Sequence, residues 1–91
     1  MGHARRRRRP ERLAEKLLHI REALGLSQGE MAERLGNEKT RNIVSNYERN
    51  KTIPPIEVVL AYARTANVQL EQIIDDDQDL NAIAPEDSQG A

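Results

Sequence analysis

Residues Ser27–Asn50 read SQGEMAERLGNEKTRNIVSNYERN, and this run decides the architecture. Ser27 has the properties of a helix N-cap. Its hydroxyl can accept from a free backbone N–H, and Glu30, three residues on, completes a capping box. Leu26 before the cap and Met31 after it stand at the positions of a hydrophobic staple. Ala32 and Leu35 continue an apolar face, and Gly36 ends the helix. Gly29 in the first turn is a poor helix former, so this helix is expected to be short with a loose start. Asn37–Lys39 form a polar turn, and Thr40 is the next N-cap. A second helix then runs over about 41–49, with Val44 and Tyr47 pointing inward. Asn50 stands where glycine is more usual at a helix exit, and asparagine tolerates the left-handed conformation better than most residues.

Working outward, residues 1–9 form a basic arm expected to be disordered, with Arg5–Arg9 unbroken. Pro10 suits a first turn, because its missing N–H is not needed there. From Glu11, Leu13, Leu17, Ile20 and Leu24 recur at helical spacing, with Ala14 and Leu18 beside them. Gly25 is a left-handed C-terminal cap. After the loop Lys51–Pro55 a fourth helix covers about 55–66. Its apolar face is read as Ile56, Val59, Leu60 and Ala63, flanked by Val58 and Tyr62, and Asn67 can cap its end. Gln69 opens a short fifth helix whose Leu70, Ile73 and Ile74 close the core. From Asp75 the chain is acidic and poor in large apolar residues, so 77–91 is read as a disordered tail. The expected organisation is a basic arm over 1–9, one all-α domain of five short helices over 10–76, and an acidic tail over 77–91.

Composition narrows the function. The 91 residues suffice for one small domain. There is no cysteine, which excludes disulfides, thiolate metal sites and cysteine nucleophiles and suits a reducing cytoplasm. With two tyrosines and no Phe or Trp, any core is aliphatic. No apolar run approaches the roughly 20 residues of a membrane span, and no apolar segment of a signal peptide follows the arginines. The net charge of −1 hides a split: residues 1–51 carry 13 Lys/Arg against 7 Asp/Glu, and residues 52–91 carry 1 against 8. Such asymmetry points to a polyanionic partner for the first half, although both excesses fall partly in the ends of the chain. His3 and His19 lack neighbouring ligands at metal spacing, and Asp75–Asp79 lacks the glycine and closing glutamate of a calcium loop. No metal, cofactor, catalytic residue or enzymatic activity is expected.

LGLSQ at Leu24–Gln28, MAERLG at Met31–Gly36, IVSNYERN at Ile43–Asn50 and the following Lys51 together resemble the Cro/cI-type helix-turn-helix, the lambda-repressor-like or Xre-like regulators. The likeness covers about Leu17–Ile74. Two departures stand out. The turn between Gly36 and Thr40 is about two residues longer than the common family pattern, and Asn50 replaces glycine. The register of the third helix is therefore anchored on Val44, Tyr47 and Glu48, since anchoring on Gly36 would bury Asn42 unpaired.

The resemblance implies a compact five-helix, lambda-repressor-like domain that places its third helix in the major groove. Facing the bases there would be Arg41, Asn42, Ser45 and Asn46. Arginine can fork onto guanine, and asparagine onto adenine. Ile43 falls on the groove side and is read with equal weight as a thymine-methyl contact or as half-buried packing. Gln28 is implied to meet the DNA backbone, where a helix N-terminus also favours phosphate. Lys39, Arg49, Lys51 and Thr52 are further phosphate candidates. Arg21 and Glu48 stand at the positions of a structural ion pair. The arginine arm has three readings: a phosphate or minor-groove contact, nonspecific electrostatic attraction, or solvated chain.

The expected function is a sequence-specific transcriptional regulator, specifically a repressor, located in the cytoplasm at the nucleoid and binding double-stranded DNA as a homodimer. The rival is a protein-interaction module on the same fold, antitoxin-like or coactivator-like, with the acidic tail as a partner-binding segment.

Overall fold

The computed structural model describes residues 11–36 and 40–85. The proposed basic arm and Lys39 lie outside them. The described residues form five helices and no strand: α1 (Leu13–Leu24), α2 (Gln28–Leu35), α3 (Arg41–Glu48), α4 (Ile56–Ala66) and α5 (Leu70–Ile74). Among the described residues the fold is thus all-α, with the five-helix order that the resemblance implies.

Local chemistry sets the helix ends. The Ser27 hydroxyl accepts from the Glu30 amide at 3.0 Å, and the Glu30 carboxylate accepts from the Ser27 amide at 2.8 Å. This satisfies two donors that the first turn of α2 would otherwise leave open. The box anchors the start of α2 despite Gly29. Thr40 caps α3 by accepting from the Ile43 amide at 3.3 Å. Asn50 takes a left-handed φ of 62° at the exit of α3, and Lys51 N donates back to the Asn46 carbonyl at 2.9 Å. Asn67 does the same for α4 at φ 59°. Gly36 leaves α2 at φ 136° and ψ 156°, a conformation closed to side chains with a Cβ.

The core joins Leu17, Ile20 and Leu24 of α1 to Met31, Val44, Tyr47, Tyr62 and Ile73. Tyr62 is its largest fully buried side chain. Here α4 departs from its sequence reading. Val58, Val59, Tyr62, Ala63 and Ala66 face inward, while Ile56 is 59% exposed and Leu60 half-buried. At about 100° per residue the inward arc centres between Tyr62 and Val59, which turns Ile56 and Leu60 toward the rim. Ile73 is wholly buried, whereas Ile74, expected to close the core, is 37% exposed.

The larger departure is at residues 77–85. Expected as disordered tail, they lie across the domain, with Leu80 and Ile83 packed on the core. Lys16, buried within α1, donates through Nζ to the carbonyls of Gln72, Asp75 and Gln78, each at 2.7 Å. An ammonium has three donors and no acceptor, so these three carbonyls use its full capacity. They include the Gln72 carbonyl in the last turn of α5 and the Asp75 carbonyl at its C-cap, an end where a cation is favoured. Burial holds the Lys16 pKa below the ordinary lysine value, helped by nearby Arg12 and opposed by Asp76, Asp75 and Asp79.

Asp76 closes the same joint from the other side. Its carboxylate accepts from the amides of Glu11 at 2.8 Å and Arg12 at 2.9 Å, just ahead of α1. The Arg12 guanidinium donates to the Asp76 carbonyl at 2.7 Å and to the Asp79 carboxylate at 2.9 Å. The acidic segment therefore continues the folded domain.

Lys16→Met should lower stability by about 1–3 kcal/mol, because three carbonyls lose the ammonium that joins them to α1; urea unfolding monitored by circular dichroism measures it. The bonds from Arg12 and Glu11 hold the Asp76 pKa below its ordinary 3.8. A carboxylate depressed in the folded state contributes stability above its unfolded pKa, and that contribution is lost as pH falls through the folded one. Asp76→Asn should therefore lower stability at pH 7 and flatten its decline below about pH 4, as pH-dependent thermal melts will read.

Candidate nucleic-acid interface

The interface is built on α2 and α3; the polar turn read at Asn37–Lys39 lies outside the described residues. Val44 and Tyr47 are buried and Ile43 is half-buried against the core, so one side of α3 is committed to packing. Ile43 is thus a packing residue. Successive rotations of about 100° then place Arg41, Asn42, Ser45 and Asn46 on the opposite arc. Arg41 and Asn42 are exposed, and Ser45 and Asn46 half-exposed. The exposed Arg49 lies on this arc as well, one turn beyond Ser45, and its Nη1 stands 3.5 Å from the Ser45 hydroxyl. The first turn of α3 carries no acidic residue. Its positive helix end is therefore left uncompensated by its own side chains. Lys51 and Thr52 are exposed on the segment leaving α3.

The two helices are held to α1 by a polar joint. Arg21 donates through Nε to Glu48 Oε2 at 2.7 Å and through Nη2 to Oε1 at 3.2 Å. Its Nη1 reaches the Leu26 carbonyl at 3.0 Å, just ahead of the Ser27 cap. The Glu48 side chain is 4% exposed and that of Arg21 16%, so the pair is shielded from competing water. The bond to Glu48 raises the Arg21 pKa above the ordinary arginine value, keeping the guanidinium charged. Gln28 Nε2 donates to the same Glu48 Oε1 at 3.1 Å, a bond that spans twenty residues of sequence. Tyr62 lies beneath this joint. Burial, reinforced by the Glu48 charge, pushes its phenol well above the ordinary tyrosine range, so it stays neutral.

The geometry thus joins Gln28, Arg21 and Glu48 in one cluster and sets Arg41, Asn42, Ser45, Asn46 and Arg49 along one outward arc. The Gln28–Glu48 bond was missing from the sequence reading. The only sequence signal for it was that an amide and a carboxylate stand at the start of α2 and the end of α3.

A helix-turn-helix family model matches residues 11–73. The chain belongs to the Cro/cI-type helix-turn-helix family. No curated protein and no solved structure matches it. The family is one of DNA-binding regulatory domains and is not enzymatic, so the five helices form a DNA-binding helix-turn-helix domain. The match ends inside α5, so the segment held by Lys16 and Arg12 continues past the region the family shares. Among the described residues no helix is long and apolar enough to cross a membrane.

Glu48→Ala should cost about 2–3 kcal/mol, somewhat below the figure for a fully buried pair, by stranding the Arg21 guanidinium. Arg21→Met with Glu48→Leu together should cost less than Glu48→Ala alone, since neither leaves a charge behind. Thermal denaturation of the two variants beside the wild type gives the comparison.

Proposed function

We propose that this protein is a sequence-specific transcriptional repressor that reads duplex DNA as a two-fold dimer, with α3 in the major groove. The observation that carries the reading is the exposed arc of α3, where Arg41, Asn42, Ser45 and Asn46 stand opposite the buried Val44 and Tyr47. Every one of these four side chains can hydrogen-bond, and none is anionic. Arg41 has the fork that matches guanine O6 and N7, and Asn42 and Asn46 have the amide that matches adenine N6 and N7. Each good pair is worth about 1–3 kcal/mol of discrimination. Gln28, Lys39, Arg49, Lys51 and Thr52 are the proposed phosphate contacts, which set orientation and affinity.

One short helix reads few base pairs, which supports use of two copies on half-sites about 34–36 Å apart. A dimer that fills two major grooves can block transcription by occupancy alone, and this favours repressor over activator. Such a regulator works where the chromosome is, in the cytoplasm at the nucleoid. The rival protein-interaction reading leaned on a free acidic tail. That reading is weakened by the engagement of Asp76 and Asp79 within the domain.

Selection of bound duplexes from a random pool should enrich a palindromic sequence. Arg41→Ala and Asn46→Ala should each relax preference at particular positions by about 5–100-fold, while Lys51→Ala weakens all sequences alike and lowers the salt slope by about one. No enrichment, or equal losses on selected and random DNA for all three variants, would overturn the reading.

A further inference from the structure

Glu48 accepts donors from two helices at once. Arg21 takes both of its oxygens, and Gln28 Nε2 donates to Oε1 at 3.1 Å. Gln28 is the first residue of α2, on the side where the helix presents its free amides. Unrestrained, its side chain would have three free torsions. A carboxylate only accepts, so the Nε2 end of the amide must face Glu48, with the carbonyl oxygen turned away. The same nitrogen has a second hydrogen, set at about 120° to the first by its planar geometry. A DNA phosphate oxygen also only accepts, so that second hydrogen is what Gln28 can offer it.

We infer that Glu48 is a positioning residue for the DNA backbone: it orients the Gln28 amide so that one N–H of Nε2 is held by Glu48 and the other is presented to a phosphate. The inference rests on the reading that Gln28 meets the DNA backbone. A single carboxylate then does two jobs. Through Arg21 it joins α3 to α1, and through Gln28 it ties the end of the reading helix to the contact that seats the domain on the duplex.

The test is a cycle of variants of the full chain, binding labelled duplexes of selected and random sequence. In wild type, Gln28→Ala should weaken binding to both duplexes by about tenfold, the loss of one charge-assisted bond. Glu48→Gln keeps the shape but offers one acceptor oxygen, which the Arg21 guanidinium takes. In that background Gln28→Ala should cost about threefold or less, because the amide is no longer oriented. Arg41→Ala on the selected duplex should cost the same in both backgrounds, which a purely structural role for Glu48 would not allow. Equal losses for Gln28→Ala in the two backgrounds would overturn the inference.

If Glu48→Gln fails to fold, the wild-type side-chain amide spectrum decides, with the Gln28 signals assigned from Gln28→Ala. The inference expects slower solvent exchange for Gln28 than for the exposed Gln69, and equal exchange overturns it. An unchanged affinity of Gln28→Ala beside successful sequence selection sinks the inference and leaves the proposed function standing. Failure of selection by the wild type brings down both.

Discussion

The carboxylate of Glu48 is the constraint on which the candidate interface depends. It lies almost out of water and takes both an arginine from α1 and a glutamine from α2. Buried charge is costly unless it is paired and hydrogen-bonded, and these two side chains give Glu48 three bonds, two of them from a cation. The arrangement has a geometric result. α3 is short, and an eight-residue helix has little stability of its own. Its outward arc is usable only if the helix is held at one angle and one rotation. Val44 and Tyr47 fix the rotation by burial. Arg21 and Gln28 pin its last residue to the two helices beside it.

The far end of the molecule uses a different polar joint for a similar purpose. Lys16 gathers three carbonyls, and Asp76 gathers two amides, across more than fifty residues of sequence. These bonds close the ring between the first helix and the chain that follows the last. Charge in the acidic segment is thereby used inside the domain. The segment's Asp76 and Asp79 answer Arg12 and the backbone ahead of α1, which reduces their standing as free ligands for another protein. The strong charge split between the two halves of the chain has, in part, an internal explanation.

Much of the interface was legible before the fold. Ser27 with Glu30, Thr40, and the Val44–Tyr47 spacing are signals carried within one or two helical turns, and the structure uses them as the pattern reads. Lys16 was legible in principle. It stands three residues after Leu13 and four before Ile20, at the edge of the α1 stripe, and that position hinted at a buried stem. The face of α4 was not legible. Ile56, Val58, Val59, Leu60, Tyr62 and Ala63 spread over about 200° of the helix, wider than the buried arc, so periodicity could not choose which part faces inward. Contact with α1, α2 and α5 chose it.

The sequence by itself determined where the helices begin and end, which side of α3 is apolar, and to which family the chain bears likeness, because each of these depends on residues close together in the chain. Tertiary structure alone decided that Gln28 turns toward Glu48, that Lys16 holds the end of α5, and that residues 77–85 belong to the domain. Each of those choices is a competition between water and a partner from 20 to 67 residues away, and only the closed fold brings that partner within reach.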